Sequence, residues 1–319
     1  MAKRLALYIA AILLGIFLIP ALVTVIFGRF NEGIDIPPYV PQNRSNEVLH
    51  RTNTSNTLFQ YEASYKRLEL LNELEEYIIM VVAAEMPALW HIEALRAQAV
   101  AARTYAVHQL IKYPHLTMWE LYQAYTNEEA LKTKWGDRFD YFFARIRYSV
   151  ESTRGEIMLY NGEPILAVFH AMSAGTTELA ENVWRQPRPY LHSIFSADYS
   201  NVPTFRHETA FTDADKAALL GGQANDRLII TKRSPAGYVL YATFGSLTLS
   251  GREVRQRLGL RSTHFTISQN GNHSTITTLG HGHGVGLSQH GANILAQGGL
   301  CYIKILQHYY QNITFGFVQ

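Results

Sequence analysis

Residues Leu5 to Phe27 (LALYIAAILLGIFLIPALVTVIF) form a run of 23 residues without a charge. A helix of about 20 residues crosses a bilayer core, so the run is expected to be a single transmembrane helix in which Pro20 is tolerated. Lys3 and Arg4 precede it and Arg29 follows it closely. The positive-inside bias then sets the N-terminus in the cytoplasm and residues 28–319 outside. A cleaved signal peptide fits less well, because its apolar region spans about 7–15 residues and ends in a small-residue cleavage site.

The remaining composition suits a packed extracytoplasmic fold. Hydrophobic residues make up 47% of the chain and charged residues 17%, which argues against bulk disorder. Lys and Arg number 28 against 26 Asp and Glu, and Lys3 and Arg4 account for the surplus of two. No basic field remains for nucleic acid, so no such partner is expected. A single cysteine, Cys301, leaves no intramolecular disulfide to form, and it reads as a small buried hydrophobe.

Residues 28–64 carry Pro37, Pro38 and Pro41 among many Asn and Ser and read as a flexible tether. Helical periodicity follows over Tyr65–Ala84 and Ile92–Ile111, separated by Glu85-Met86-Pro87, and again over Met118–Tyr125 and Phe139–Ser152. The Ala-rich run AQAVAARTYAV predicts that the second of these helices is buried. Beyond Gly155 the pattern turns to strands. Glu156–Tyr160 and Pro164–Ala171 flank Asn161-Gly162, a strong hairpin signal, and Arg227–Lys232 and Tyr238–Leu249 flank Ser234-Pro235-Ala236-Gly237. Ser288–Gln297 and Tyr302–Tyr310 read as closing helices, the first stopped by Gly298-Gly299. Without regular βαβ alternation the expected class is α+β, mixed helices and antiparallel hairpins in one ectodomain behind one membrane helix.

Several residues carry possible chemistry. Glu85 ends an apolar helix just before Pro87 and close to Trp90; desolvation there would raise its pKa and make it a general acid, the alternative being a solvated helix-end Glu. Glu93 and Arg96, one turn apart, read as a surface ion pair. Gln98 and Arg103 interrupt a small apolar face, and a buried Arg requires an anionic or carbonyl partner. His170, Ser173, Thr176, Thr177, Glu178 and Glu181 form a dense polar stretch after a strand, as pocket walls do. Trp184 and Tyr190 offer flat faces to sugar rings, or are core. In GHGHGVGLSQHG (280–291), His281 and His283 would share a strand face with His290 nearby, so zinc has to be considered. No acid or thiol in the stretch completes a shell, and no dinucleotide-binding glycine pattern is present.

Taken together, VVAAEMP (81–87), EALRAQAVAARTYAV (93–107), FHAMSAG with the following Glu and VW (169–184), PYLHSI (189–194), GREVRQRLGLRSTHF (251–265), GHGVGLSQHGANILAQGG (282–299) and ILQHYYQN resemble the stage II sporulation protein D family. The segments occur in the family's order and cover roughly residues 65–319, which the resemblance makes the catalytic domain. It implies a membrane-anchored lytic transglycosylase that cleaves denuded peptidoglycan glycan strands, leaving 1,6-anhydro-N-acetylmuramic acid ends, during engulfment of the forespore. It implies Glu85 as the catalytic acid, and it places Arg103, His170, Ser173, Glu178, Tyr190, His283 and Gln289 at family motif positions, expected to hold the sugar. It also implies stage II sporulation proteins P and M as partners, in the mother-cell membrane facing the forespore.

The departures are His192, where many members have Lys, and the lack of cysteines near FHAMSAG that hold zinc in some relatives, so neither metal nor other cofactor is expected. The alternative from another class is a wall-binding regulator that stimulates an amidase and cuts nothing.

Overall fold

The computed structural model describes residues 71–318. The expected cytoplasmic stub and membrane helix (together 1–27) and tether (28–64) lie outside the described residues, among which no helix is long and apolar enough to cross a membrane.

Helix α1 (Leu71–Glu85) and helix α2 (Ile92–Lys112) form a pair joined by the Met86–His91 turn. The Ala-rich stretch packs as expected: Ala94, Ala97, Ala99, Ala101, Ala102 and Ala106 are buried along α2, their short side chains allowing neighbours on several sides. Met118–Tyr125 is not the helix expected. A 3-10 turn covers Met118–Glu120, where Glu120 folds back to accept from Thr117 N–H at 2.7 Å and Oγ at 2.8 Å, and the chain then extends at Leu121 (φ −72°, ψ 141°). Helix α3 (Glu128–Trp135) was not anticipated, although Asn127 caps it by accepting from Ala130 N–H at 2.8 Å. A second 3-10 turn (Gly136–Arg138) leads into α4 (Phe139–Glu151), close to the expected helix.

Strand β1 (Glu156–Tyr160) turns through Asn161 and Gly162, at φ 52° and 84°, into β2 (Glu163–Pro164). The positive angles are those of the tight hairpin turn that Asn-Gly encodes. The second strand is shorter than expected: pairing with β1 ends at Pro164, and β3 (Phe169–His170) pairs elsewhere. Helix α5 (Ala180–Trp184), strand β4 (Arg206–Thr212), α6 (Asp213–Leu220), β5 (Leu228–Arg233), β6 (Val239–Phe244), β7 (Leu247–Ser250) and α7 (Gly251–Arg257) follow. The expected strand Tyr238–Leu249 is thus two strands, folded over at Gly245 (φ 58°). Strands β8 (Phe265–Asn270) and β9 (His273–Leu279) precede β10 (Leu287–Ser288), α8 (Gln289–Gln297), α9 (Tyr302–Tyr309) and β11 (Thr314–Phe317).

The sheets run β11-β1-β2, β4-β9-β8 and β5-β6-β7, all antiparallel, with a parallel pair of β10 and β3. Helices mixed with antiparallel sheets make the fold α+β. The larger apolar core is built from α1, α2, α4, α8, α9 and β1; a second cluster (Phe211, Val239, Phe244, Val254, Phe265, Ile276 among others) lies under residues 206–279.

Two expectations about side chains are corrected. Glu93 and Arg96 do pair, at 2.8 Å, but Glu93 also accepts from Tyr302 N–H at 2.7 Å and Arg96 donates to Ser152 Oγ at 2.9 Å. The pair joins α2 to α9 and α4 instead of facing water. Cys301 is exposed, because it precedes α9 instead of packing beneath it.

Candidate functional site

Glu85 is the last residue of α1, and the segments around it arrive from three separate parts of the chain. Gln289, the first residue of α8, donates Nε2–H to one carboxylate oxygen at 2.9 Å; the Ala124 N–H reaches the other at 3.3 Å. Burial raises the Glu85 carboxyl above its ordinary range, and the bonds from Gln289 and Ala124 oppose this only in part. The C-terminal end of a helix, where carbonyl dipoles converge, further disfavours a carboxylate. Neither hydrogen-bonding group is a second carboxylate. The arrangement is one acid, half-buried, held by an amide, with its proton retained above the ordinary carboxylate range by burial.

The turn carrying Glu85 is clamped from both sides. Arg145 donates to the Ala88 and Trp90 carbonyls at 2.8 and 2.9 Å, and His91 N–H donates to Asn293 Oδ1 of α8 at 2.8 Å. Trp90 meets the His290 ring edge-on at 4.6 Å. Gln98, fully buried on α2, has Oε1 3.5 Å from Gln289 Nε2.

Gln289 owes its position to a polar network under the N-terminus of α8. Ser288 caps that helix by accepting from Gly291 N–H at 3.3 Å. The same Ser288 Oγ accepts from Ser173 N–H at 3.2 Å and lies 2.8 Å from Tyr199 OH, which is 3.1 Å from Ser173 Oγ. Ser196 Oγ bridges Tyr199 OH and Tyr309 OH, each at 2.7 Å. Ser173 therefore sets α8 from below and is fully buried.

The other residues expected to hold the sugar are likewise engaged within the protein. His170 is buried with Nδ1 3.0 Å from the Val285 carbonyl, and Glu178 N–H donates to the Gly284 carbonyl at 2.8 Å while its carboxylate accepts from Leu179 N–H and Asn182. Both hold the glycine-rich segment. Arg103 is fully buried: its fork grips Glu75 at 2.8 and 2.6 Å and donates to the Glu156 and Val150 carbonyls. The anionic partner required of a buried Arg is there, and it belongs to the protein. Tyr190 is buried with its OH accepting from Leu166 N–H at 3.0 Å.

His283 is half-buried between Trp184 at 5.0 Å and His170 at 5.4 Å, its pKa lowered to about 4 by burial and by Arg255. It does not share a strand face with His281. Gly280, Gly282, Gly284 and Gly286 all have positive φ, so the segment is a winding turn, with His281 exposed and bridged to Met172. Among the described residues no group of three or more His, Cys, Asp or Glu side chains is placed to hold a metal ion. Of the residues expected around the sugar, Gln289 alone bonds Glu85.

Sequence reasoning missed the loop opposite Gln289. Gln123 ties it down, accepting from Tyr77 OH at 3.2 Å and donating to the Ala102 carbonyl at 3.2 Å. Beside Ala124 it exposes Trp119, Tyr122 and Tyr125. Reading 118–125 as a helix hid them, because Met118, Leu121, Tyr122 and Tyr125 fall at helical spacing; the available signal was three aromatics within seven residues.

A family model described as "Stage II sporulation protein" matches residues 62–160. Stage II sporulation protein D of Bacillus subtilis is 39% identical over 249 residues, covering 75% of this chain and 73% of that protein. The protein of the same name from Bacillus amyloliquefaciens is 39% identical over 251 residues, covering 75% and 73%. A Bacillus subtilis protein named "Amidase enhancer" is 27% identical over 292 residues, covering 73% of this chain and 39% of that protein. A Glu-Met-Pro turn whose half-buried Glu85 is held by the glycine-rich segment thus sits in a chain that belongs to the SpoIID family of stage II sporulation proteins.

Proposed function

We propose that the chain is a peptidoglycan lytic transglycosylase acting in sporulation, with Glu85 as its acid. The observation carrying this reading is Glu85 itself: one desolvated carboxyl, raised in pKa and bonded by Gln289. Glycosidases that hydrolyse commonly need a second carboxylate, to attack or to activate water. A lytic transglycosylase does not, because the substrate brings its own nucleophile. Glu85 protonates the oxygen between N-acetylmuramic acid and N-acetylglucosamine; the bond from that oxygen to C1 breaks, and the muramic C6 oxygen bonds C1. Glu85, now a carboxylate, takes the proton released by the C6 hydroxyl. The product is a 1,6-anhydro end and Glu85 is restored.

Residues 65–319 are proposed as the catalytic domain, 28–64 as a tether and 1–27 as the anchor. The domain then lies outside the mother-cell membrane facing the forespore, acting on denuded strands beside stage II sporulation proteins P and M. The test is mass spectrometry of peptide-free glycan strands incubated with the full-length chain in detergent, wild type beside Glu85→Gln. Products lighter by one water than hydrolysis products, and missing with the variant, are expected. Reducing ends formed by hydrolysis would change the reaction assigned. The relative named "Amidase enhancer" favours a second reading, a regulator that cuts nothing; intact strands from a folded chain that accelerates an amidase would select it.

A further inference from the structure

Resting on the glycan-cleaving reading above, we propose that Trp119 and Tyr125 form a sugar-stacking platform that holds a pyranose ring of the glycan strand beside Glu85. The relative exposures of Trp119 and Tyr125 are 64% and 44%, and Tyr122 on the same loop reaches 91%. Large aromatics left in water on a folded surface mark binding sites when they are grouped and held rigidly. These are held. Tyr125 stacks on buried Tyr77, with ring centroids 5.7 Å apart and planes 9° apart, and Trp119 meets Tyr125 edge-on at 4.9 Å and Tyr77 at 5.9 Å. The Thr117–Glu120 cap fixes the loop at one end and Gln123 fixes it near the other.

The occupant follows from position and chemistry. Ala124, whose N–H reaches Glu85 at 3.3 Å, directly precedes Tyr125, so a strand whose glycosidic oxygen meets the acid runs past this loop. A pyranose ring presents C–H groups on its faces and hydroxyls around its edge. The negative π face of an indole or phenol meets the former, and the Tyr hydroxyl can bond the latter. Rings already ordered lose little side-chain entropy on binding.

The test uses the full-length chain in detergent carrying Glu85→Gln, so that cutting does not deplete the probe, with co-sedimentation on peptide-free glycan strands as the readout. Trp119→Ala and Tyr125→Ala are each expected to weaken binding about tenfold, while Trp119→Phe and Tyr125→Phe restore most of it. Circular dichroism shows whether each variant is folded, and Trp119, being largely exposed, is not expected to be needed for folding. Undiminished binding by folded alanine variants overturns the platform and leaves a protein partner as the face's occupant. A loss that Phe does not relieve also overturns it, since the π face is then not the contact. Cutting absent from the Glu85 enzyme while Trp119-dependent binding persists keeps the platform and removes the lytic reading. Cutting and binding both intact in the alanine variants remove the platform and keep that reading.

Discussion

At the residue scale, half-buried Glu85 and fully buried Arg103 have opposite consequences. Glu85 is raised in pKa by burial, so the folded state binds its proton more tightly than the unfolded chain, whose Glu titrates near about 4.3. The stability tied to that proton is fully present below this value and is lost as pH rises through the raised folded value. Glu85→Gln is therefore expected to melt higher than wild type at pH 7, with the difference closing below about pH 4. Equal melting temperatures at pH 7 would contradict a desolvated acid. Arg103 faces a paired carboxylate in a fully buried site, and Arg103→Met strands Glu75. A loss of about 3–5 kcal/mol in urea unfolding is expected. A loss below 1 kcal/mol would mean that the site admits water. Sequence alone signalled both residues, one as an acid at an apolar helix end and one as an Arg among alanines. It could not say that Arg103 already has its anion, because Glu75 lies 28 residues away on another helix.

At the element scale, the glycine-rich segment works as a backbone device that delivers Gln289. A Cβ on Gly286, at φ 69°, would lie 2.2 Å from the Val168 carbonyl oxygen, and one on Gly291 would lie 2.1 Å from the Tyr309 hydroxyl. Gly286→Ala is expected to cost about 2–4 kcal/mol, from strained φ plus displaced backbone. It should also reduce the proposed glycan cleavage more than the stability loss explains, since α8 carries Gln289. Cleavage unchanged in folded Gly286→Ala would detach the segment from the site. The density of glycines and histidines at 280–291 was visible in the sequence. The segment's partner was not, because β3 and the 169–178 stretch meet it across more than 100 residues largely through backbone hydrogen bonds, which leave no mark on residue type. The loop at 118–125 departs from the helix for a local reason: Thr117 and Glu120 form a helix-start capping box, but the backbone turns extended at Leu121 (φ −72°, ψ 141°) after a single 3-10 turn.

At the scale of the whole molecule, several histidines are packed neutral. His283 and His290 are lowered to about 4, both chiefly by burial, helped by Arg255 for the first and His281 for the second. A folded-state pKa below the unfolded value of 6.5 gives stability that is present above pH 6.5 and drains away as pH falls toward 4. Each group contributes a slope of at most about 1.4 kcal/mol per pH unit in that window. The melting temperature is therefore expected to fall between pH 6.5 and 4, and His290→Gln to flatten the fall. A flat profile would place these rings in contact with water. The sequence by itself determined the α+β class, the main helices of the core, the Asn-Gly hairpin and the desolvation of Glu85, because periodicity, turn chemistry and an apolar context are local properties of the chain. Only the tertiary structure decided which polar residues line the site and which hold it together. That assignment depends on burial and on partners far away in sequence: it placed Ser173, His170, Glu178 and Arg103 beneath the site and brought Gln289 and Ala124 to Glu85.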